Sequence, residues 1–344
     1  MNQHPVIRMC EPGDRSALVR FIDTHWKKDH IFVRDSRVLD WQHGNPGGSL
    51  NFAVAAHPVT GELSGVLGYI PLDRYTGRRD WSEAYLALWK ALPFAGAAGT
   101  GLLLLEFIQN EIRPSALFAI GLTRQVMPLY RSLGFMTGQM HHHVLPNRVI
   151  SAHRLMQGVP SHALRDPLPA PSGRRLIEVD PFSPPFPLDP ILESTAPRKN
   201  WAHFLERYGK HPFFRYRIFA LTINNEPEAL IVTRAAAANG GSALRIVDFA
   251  GAPVLDRYCA LIHNLIMQEN LEYADLYQHG LDAQALSSAG LIDRGLHPGF
   301  IVPNYFEPFE LKNIDLRFAY RPADLTAIRP VLLFRGDADQ DRPN

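Results

Sequence analysis

The sequence has few cysteines and no excess of charge of one sign. Its 344 residues include two cysteines, Cys10 and Cys259, one in each half. This low number argues against a disulfide framework and predicts a reducing, cytoplasmic environment. Lys and Arg number 35 and Asp and Glu number 34, so the net charge is +1. A near-neutral chain is not expected to bind nucleic acid or an anionic membrane through bulk charge.

A long uninterrupted apolar run is also missing. The most apolar stretch, from 91 to 108, is broken by Pro93, by several glycines and by Glu106. A membrane-spanning helix needs about 20 consecutive apolar residues, so this stretch is predicted to be part of a soluble fold. Residues 1–5 contain no basic segment followed by an apolar one, and we therefore expect no signal peptide.

Proline, in contrast, is abundant in one segment. Ten of the 28 prolines fall between Pro160 and Pro197. Because proline fixes φ and has no backbone N–H, neither a helix nor a central strand is expected to continue through such a segment. The length of the chain suggests two domains. We therefore predict an N-terminal domain at 1–150, an extended linker at 151–199 and a C-terminal domain at 200–344.

The hydrophobic patterns of the two halves predict an α/β (α+β) fold with the same order of elements in each half. The first half is predicted to contain a helix (16–26), a hairpin (51–56 and 63–72), a strand (83–92), a helix (102–112), a strand (116–122), a short helix (125–133) and a strand (135–145). The second half is predicted to contain a hairpin (214–223 and 229–234), a strand (243–249), a helix (255–269), a strand (273–277) and a short helix (283–290).

The segment Gly96-Ala97-Ala98-Gly99-Thr100-Gly101 joins the third predicted strand to a helix. Small residues allow backbone N–H groups to converge, and the helix that follows adds the positive end of its dipole, so the segment can bind an anion. A plain flexible turn is the alternative. The loop does not follow the first strand of a βαβ unit and no lysine follows it, so it differs from the patterns of dinucleotide and triphosphate sites.

A second motif, Leu129-Tyr130-Arg131-Ser132-Leu133-Gly134-Phe135, follows the next predicted strand. Together the two motifs resemble those of the GNAT superfamily of acyl-CoA-dependent N-acyltransferases. Gly96 and Thr123 stand where the superfamily usually has a long polar residue and an asparagine. The resemblance implies two GNAT-like domains, each with a mixed, mostly antiparallel sheet flanked by helices. It also implies acyl-CoA as co-substrate, with acetyl as the expected acyl group.

The resemblance implies roles for individual residues. Tyr130 is the expected acid for the CoA sulfur, since a phenol stays protonated at neutral pH; packing in the core is the alternative. Glu83 and His30 are candidate bases, although water or the thiolate could also accept the proton. Contacts with the cofactor are expected from Leu92, Phe94, Gly96, Ala97, Ala98, Gly99, Thr100, Gly101 and Tyr130.

Further segments are similar to two-domain N-acyltransferases that act on nucleotide-linked deoxyamino sugars, often dTDP-sugars, in bacterial surface-polysaccharide pathways. These segments are 26–30, 41–43, 245–248, 303–308 and 336–344. The similarity implies substrate contacts from His30, Trp41, Arg245, Asp248, Asn304, Tyr305 and Glu307. In the second half, Pro253 removes an N–H where a phosphate loop would need one, so only the first domain is expected to bind CoA.

Two other functions stay open on the sequence alone. A tandem GNAT protein could acylate another amine, such as a peptide, an aminoglycoside or a metabolite. A non-catalytic acyl-CoA sensor would keep the fold without turnover. The histidines at 141–143 do not predict a metal site, because neighbours on a strand point to opposite faces. No metal is therefore expected, and the oligomeric state is not predicted.

Overall fold

A computed structural model describes residues 4–78, 80, 82–93, 99–165, 168, 170–324 and 329–343. The strands are β1 (Val6–Cys10), β2 (Leu50–Ala56), β3 (Leu63–Pro71), β4 (Glu83–Ala91), β5 (Ala116–Ile120), β6 (Met136–Gln139), β7 (His141–Pro146), β8 (Arg174–Val179), β9 (Arg217–Ile223), β10 (Glu226–Ala238), β11 (Gly241–Gly251), β12 (Tyr273–His279), β13 (Ile292–Asp293), β14 (Tyr305–Phe306), β15 (Phe309–Glu310), β16 (Arg317–Pro322) and β17 (Leu333–Phe334). The helices are α1 (Arg15–Phe21), α2 (Ile31–Arg34), α3 (Ser36–His43), α4 (Asp73–Thr76), α5 (Thr100–Ile112), α6 (Met127–Ser132), α7 (Asp189–Leu192), α8 (Trp201–Phe204), α9 (Cys259–Gln268) and α10 (Ala283–Ser288).

Two large mixed sheets form the framework. The first sheet has the strand order β1-β2-β3-β4-β5-β16-β6, and the second has the order β13-β7-β12-β11-β10-β9-β8. Each sheet contains one parallel pair at its centre, β4 with β5 and β11 with β12, and its other pairs are antiparallel. The predicted mixed, mostly antiparallel sheets flanked by helices are confirmed.

The two sheets exchange strands. Strand β7, from the end of the first half, lies between β12 and β13 of the second sheet. Strand β16, from the end of the chain, lies between β5 and β6 of the first sheet. Each half therefore completes the sheet of the other half, and sheet membership does not follow a boundary at residue 150.

This exchange corrects the prediction of one strand over 135–145. The segment forms two strands in different sheets, because the chain leaves the first sheet at Met140. There the N–H of Met140 donates to the carbonyl of Leu316 at 2.8 Å. Just before this point Gly138 packs against the ring of Phe318, which lies where a Cβ at residue 138 would be. A strand pattern in the sequence indicates an extended chain but not the sheet that receives it.

The proline-rich segment is more ordered than an extended linker. It contains β8, which pairs with β9 at the edge of the second sheet, and the short helix α7. Strand β8 fits between the prolines because residues 172–180 contain none, so each residue keeps a backbone donor for the ladder. The segment predicted as an extended linker therefore contains an edge strand and one short helix.

A buried ionic cluster joins the two sheets. The ammonium of Lys199 lies 2.5 Å from a carboxylate oxygen of Asp248 and 2.9 Å from one of Asp337. The phenol of Tyr85 on β4 donates to Asp337 at 2.6 Å, and that of Tyr208 donates to Asp248 at 2.8 Å. Breaking a fully buried pair of this kind typically costs about 3–5 kcal/mol, so the cluster fixes how the halves meet.

Candidate active site

The central parallel pair of the first sheet opens at one end. The ladder between β4 and β5 ends at Leu86 and Ala119, although β4 continues to Ala91. Just past this point β4 contains a bulge, in which Ala87 and Leu88 lie opposite the single residue Gly68 of β3. A bulge leaves backbone groups outside the regular ladder, so this part of β4 has N–H groups available for a ligand between the diverging strands.

Helix α5 begins beside this opening. Its N-cap is Gly99, whose φ of 85° is a left-handed conformation that favours glycine. The first hydrogen bond of the helix runs from the N–H of Leu103 to the carbonyl of Gly99, so the N–H groups of Gly101 and Leu102 have no intrahelical acceptor. Leu92 and Thr100 flank the loop, and Phe94, Gly96, Ala97 and Ala98 lie outside the described residues.

Tyr130 lies close to the same end of β4. Its ring packs edge-on against Trp89 of β4 at 5.8 Å and against Phe135 at 5.1 Å between ring centroids. A Cβ at Gly101 would lie 3.4 Å from the indole nitrogen of Trp89. Burial raises the pKa of Tyr130, so the phenol keeps its proton at neutral pH. The predicted tyrosine and the first turn of α5 are thus brought together around Trp89.

The matching opening of the second sheet is filled. The parallel ladder between β11 and β12 ends at Ile246 and Leu276, and β17 then pairs with β12. The ring of Phe334 in β17 is fully buried, and the N–H of Gly336 donates to the carbonyl of Val247 at 2.6 Å. The segment around Phe334 and Gly336, which we call the carboxy-terminal segment, therefore fills a space in the second sheet. This space corresponds to the opening of the first sheet.

A cavity of about 740 Å³ lies between elements of both halves and the carboxy-terminal segment. Its lining residues are Lys27, Phe213, Phe214, Arg234, Ala235, Ala236, Ala237, Arg245, Asn304, Tyr305, Phe306, Glu307, Pro308, Glu310, Arg335, Gln340, Arg342 and Pro343. We call it the arginine cavity. Of the predicted substrate contacts, Arg245, Asn304, Tyr305 and Glu307 are brought together in its wall.

The arginine cavity lies beside the opening of the first sheet. The side-chain amide of Gln340, in the cavity wall, donates to the carbonyl of Ile120 at 3.2 Å. Ile120 follows Ala119, the last β5 residue that pairs with β4. At the next residue, Gly121, a Cβ would overlap the Gln340 side chain, so the absence of a side chain permits this contact. A molecule in the cavity therefore lies close to the point where β4 and β5 separate.

His30 is buried as the N-cap of α2. Its Nδ1 accepts from the N–H of Phe32 at 3.3 Å, so the proton of the neutral ring lies on Nε2, which is then a donor. Burial, with the nearby charges of Arg342 and Lys27, lowers the pKa of His30 to about 3. The role of His30 as a general base stays a prediction.

Glu83 also lies away from the opening. It is the first residue of β4, and at about 3.3 Å per residue it is about 20 Å along the strand from Trp89. Its carboxylate accepts from the backbone N–H of Arg198 at 2.7 Å and from the guanidinium at 3.1 Å. Glu83 thus holds Arg198 through both carboxylate oxygens, and its role as a base stays a prediction.

Three predicted substrate contacts are not among the residues that line the arginine cavity: His30, Asp248 and Trp41. Asp248 is fully buried in the ionic cluster with Lys199. The indole of Trp41 donates to the carbonyl of Glu206 at 3.3 Å and packs edge-on against His211 at 4.3 Å. Asp248 and Trp41 contact residues that join the two halves, so they belong to the interface and not to the cavity.

Several polar residues of the cavity were not predicted. Lys27, Gln340 and Arg342 lie in the segments 26–30 and 336–344 but were not named as contacts, and Arg234 and Arg335 lie outside all the segments that the sequence analysis singled out. Among the described residues, no group of three or more His, Cys, Asp and Glu side chains is placed to hold a metal ion. In the described part of the chain, no helix has the length and apolar character needed to cross a membrane.

Comparison with known proteins supports the fold. No family model matches the sequence, and no curated protein matches it. A GCN5-related N-acetyltransferase from Anabaena variabilis ATCC 29413 is similar over 93% of this chain and 73% of that chain, with a TM-score of 0.57 and 14% identity. A protein of unknown function from Enterococcus faecalis V583 is similar over 94% and 74% (TM-score 0.54, 9% identity), and a GCN5-related N-acetyltransferase from Kribbella flavida over 93% and 71% (0.51, 12%). The chain therefore has the fold of GCN5-related N-acetyltransferases.

Proposed function

We propose that this protein is an acyl-CoA-dependent N-acyltransferase whose donor site is the opening between β4 and β5. The observation that carries the proposal is the combination found at that opening: a bulged strand, a helix that starts at a left-handed glycine, and Tyr130 packed on Trp89. Backbone N–H groups of the strand suit a developing oxyanion, and those of the helix suit a phosphate.

In the proposed reaction, the nitrogen of a neutral amine attacks the thioester carbonyl, forms the C–N bond and displaces the sulfur. A β4 N–H stabilises the negative charge on the carbonyl oxygen. Tyr130 donates its proton to the departing thiolate. The amine loses one proton, which returns through water to Tyr130, so the products are an amide and free CoA thiol. This cycle requires no carboxylate base.

One donor site per chain is expected. In the second sheet β17 and Phe334 lie in the corresponding opening, and Pro253 stands at the start of the segment that leads to α9. The proposal therefore assigns acyl-CoA to the first half and gives the second half the walls of the acceptor site. Both cysteines are buried and free, which fits the proposed cytoplasmic location.

For the acceptor we propose the amino group of a nucleotide-linked deoxyamino sugar, with a dTDP-sugar as the first candidate. The arginine cavity supports this choice, because its volume suits a substrate of that size and its wall includes both cations and the rings of Tyr305 and Phe306. Other amines and a non-catalytic acyl-CoA sensor are the alternatives.

The test is release of free thiol from acetyl-CoA by the full chain with a panel of amines. The panel contains dTDP-linked amino sugars, the free amino sugars, aminoglycosides and peptides, and calorimetry measures CoA binding in parallel. Thiol release with a dTDP-amino sugar is the expected result. Turnover with only peptides or aminoglycosides would contradict the proposed acceptor. CoA binding without thiol release for any amine would favour the sensor, and absence of both would contradict the donor site.

A further inference from the structure

The wall of the arginine cavity holds more positive than negative charge in its buried part. Arg234, Arg245 and Arg335 are each less than a tenth exposed. The buried carboxylates that face them are Asp341 and Asp275. Asp341 accepts from both Arg234 and Arg335, and Asp275 accepts from Arg245. Three guanidinium groups thus share two carboxylates, and one positive charge stays uncompensated.

Arg335 differs from Arg234 and Arg245 in the direction of its pKa shift. Burial, together with the neighbouring charges of Arg245 and Arg234, lowers the pKa of Arg335 to about 10. The pKa values of Arg234 and Arg245 are raised instead, because the attraction of Asp341 and Asp275 outweighs the effect of burial. An uncompensated charge in the interior is costly unless an anion accompanies it.

Some of the cationic groups keep donors for a ligand. Arg234 uses Nε and Nη2 for Asp341, and within the described chain its Nη1 has no hydrogen-bond partner. Arg342 contacts Asp339 through Nη1 alone, and its Nε and Nη2 have no partner in the same residues. Lys27 is exposed at the cavity and has no ion pair in the described part of the chain.

One of the two carboxylates in the cavity lining is engaged by a cation outside the lining. Glu310 forms an ion pair with Lys312, outside the lining. Glu307 lies on the exposed turn between β14 and β15. The other lining side chains that reach the cations are neutral: Asn304 accepts from Arg335, and the ring of Phe214 lies 4.1 Å below the guanidinium of Arg234.

We infer that the arginine cavity binds an oxyanion group of the acceptor, a phosphate or a carboxylate, through Arg234, Arg342 and Lys27. This inference rests on the proposed function for the identity of the ligand as acceptor. The link from Gln340 to Ile120 places such an anion beside the opening of the first sheet. The acceptor is thus a molecule that carries both an amine and an oxyanion group. An amine without an oxyanion group lacks the contacts with the cations of the cavity.

The first experiment measures binding without chemistry. Calorimetry of the full chain with dTDP, inorganic pyrophosphate and a simple dicarboxylate compares wild type with Lys27→Gln, Arg342→Gln and the charge-retaining Arg342→Lys. Each loss of a charged hydrogen bond is expected to weaken binding of the preferred anion about tenfold, and Arg342→Lys is expected to recover part of it. Lys28→Gln is the matched control, because Lys28 is an exposed neighbour outside the cavity lining.

The second experiment measures acyl transfer with paired acceptors that differ only in the oxyanion group. The variants are expected to raise KM for the anionic acceptor about tenfold while KM for acetyl-CoA stays unchanged. Preference for the phosphate or for the carboxylate member identifies the source of the anion. A rise in the dissociation constant of CoA instead would assign the cations to CoA phosphates and overturn the inference.

The proposed transferase activity and the proposed anion site can be contradicted independently of each other. One outcome is that no amine releases thiol, but dTDP or pyrophosphate binds and Lys27→Gln weakens this binding. The anion site then stands and the transferase is contradicted. If thiol release occurs but anionic and neutral acceptors react equally well, the transferase stands and the anion site is contradicted. Binding that is unchanged in all three variants also overturns the site.

Discussion

At the scale of single residues, Tyr130 shows how burial keeps a phenol protonated. A phenol that is enclosed by Trp89 and Phe135 keeps its proton, because burial disfavours the phenolate and raises the pKa. Its ring is held from two sides, so the direction of the hydroxyl is determined by packing. The same residue that packs between α6 and β4 is the acid in the proposed reaction.

Replacing Tyr130 by phenylalanine tests this role. The ring contacts stay, so folding and KM for acetyl-CoA are expected to be unchanged, whereas kcat falls about 100-fold through loss of the acid. Steady-state thiol release measures both constants. Tyr320→Phe is the control, because it removes a hydroxyl from the same sheet on strand β16. Equal kcat values for wild type and Tyr130→Phe would show that another group protonates the thiolate.

Residues of the donor site could be predicted from sequence, and those of the arginine cavity only in part. Gly99, Gly101 and Tyr130 belong to two local motifs whose spacing follows from one strand, one helix and one turn. Arg335 and Lys27 lie near opposite ends of the chain, and they meet only because the carboxy-terminal segment returns to the first half. Local spacing contains no information about such a return.

At the scale of elements, the start of α5 depends on one backbone conformation. Gly99 has a φ of +85°, and no atom of the described residues lies within 4 Å of the position that a Cβ would take. A side chain there meets no steric obstacle from those residues but strains the backbone, at a cost of about 1–2 kcal/mol for an L-residue. The chain can relieve the strain by rotating the peptide units that begin the helix, which changes the direction of the N–H groups.

Gly99→Ala is therefore expected to weaken CoA binding about tenfold, the equivalent of about 1.4 kcal/mol. Gly47→Ala is a matched control, because Gly47 has the same φ of +85° and the same open surroundings in a turn far along the chain. Both variants are expected to lose similar stability in urea unfolding, and only Gly99→Ala loses affinity in calorimetry. Similar CoA affinities in the two variants would show that the start of α5 does not bind the cofactor.

Elements with a strong local pattern were predicted well. The helix expected at 102–112 is α5, and the strand expected at 83–92 is β4. Strands β8, β16 and β17 were not predicted, since β8 is surrounded by prolines and β17 has only two residues. Their extended conformation depends on the edge or gap of a sheet formed by other segments, so tertiary pairing and not local preference determines them.

At the scale of the whole molecule, the protein buries an unusual set of neutral histidines. Burial lowers the pKa of His30 and His43 to about 3 and that of His142 and His143 to about 4. In the unfolded chain a histidine binds a proton below about pH 6.5. The unfolded state then holds more protons than the folded state, so stability is complete above about pH 6.5 and is lost as the pH falls toward the folded pKa values.

Each of the four histidines is expected to lower the free energy of unfolding by up to about 2 kcal/mol between about pH 6.5 and pH 5. Urea unfolding at pH 7.5, 6.5 and 5.5 measures the effect as a falling midpoint. His143→Gln is expected to reduce the slope with pH, and the exposed His25→Gln leaves it unchanged. A midpoint that does not move between pH 7.5 and 5.5 would show that the buried rings are protonated in the folded state.

The position of β16 between β5 and β6 has a consequence for synthesis of the protein. A ribosome makes the chain from its amino terminus, and the first sheet lacks an interior strand until residues 317–322 have emerged. Until then β5 and β6 present unpaired edges, which are sites for aggregation. The donor half thus reaches its final form only after residue 322 has been translated, and a nascent chain that stops earlier is a natural target for chaperones.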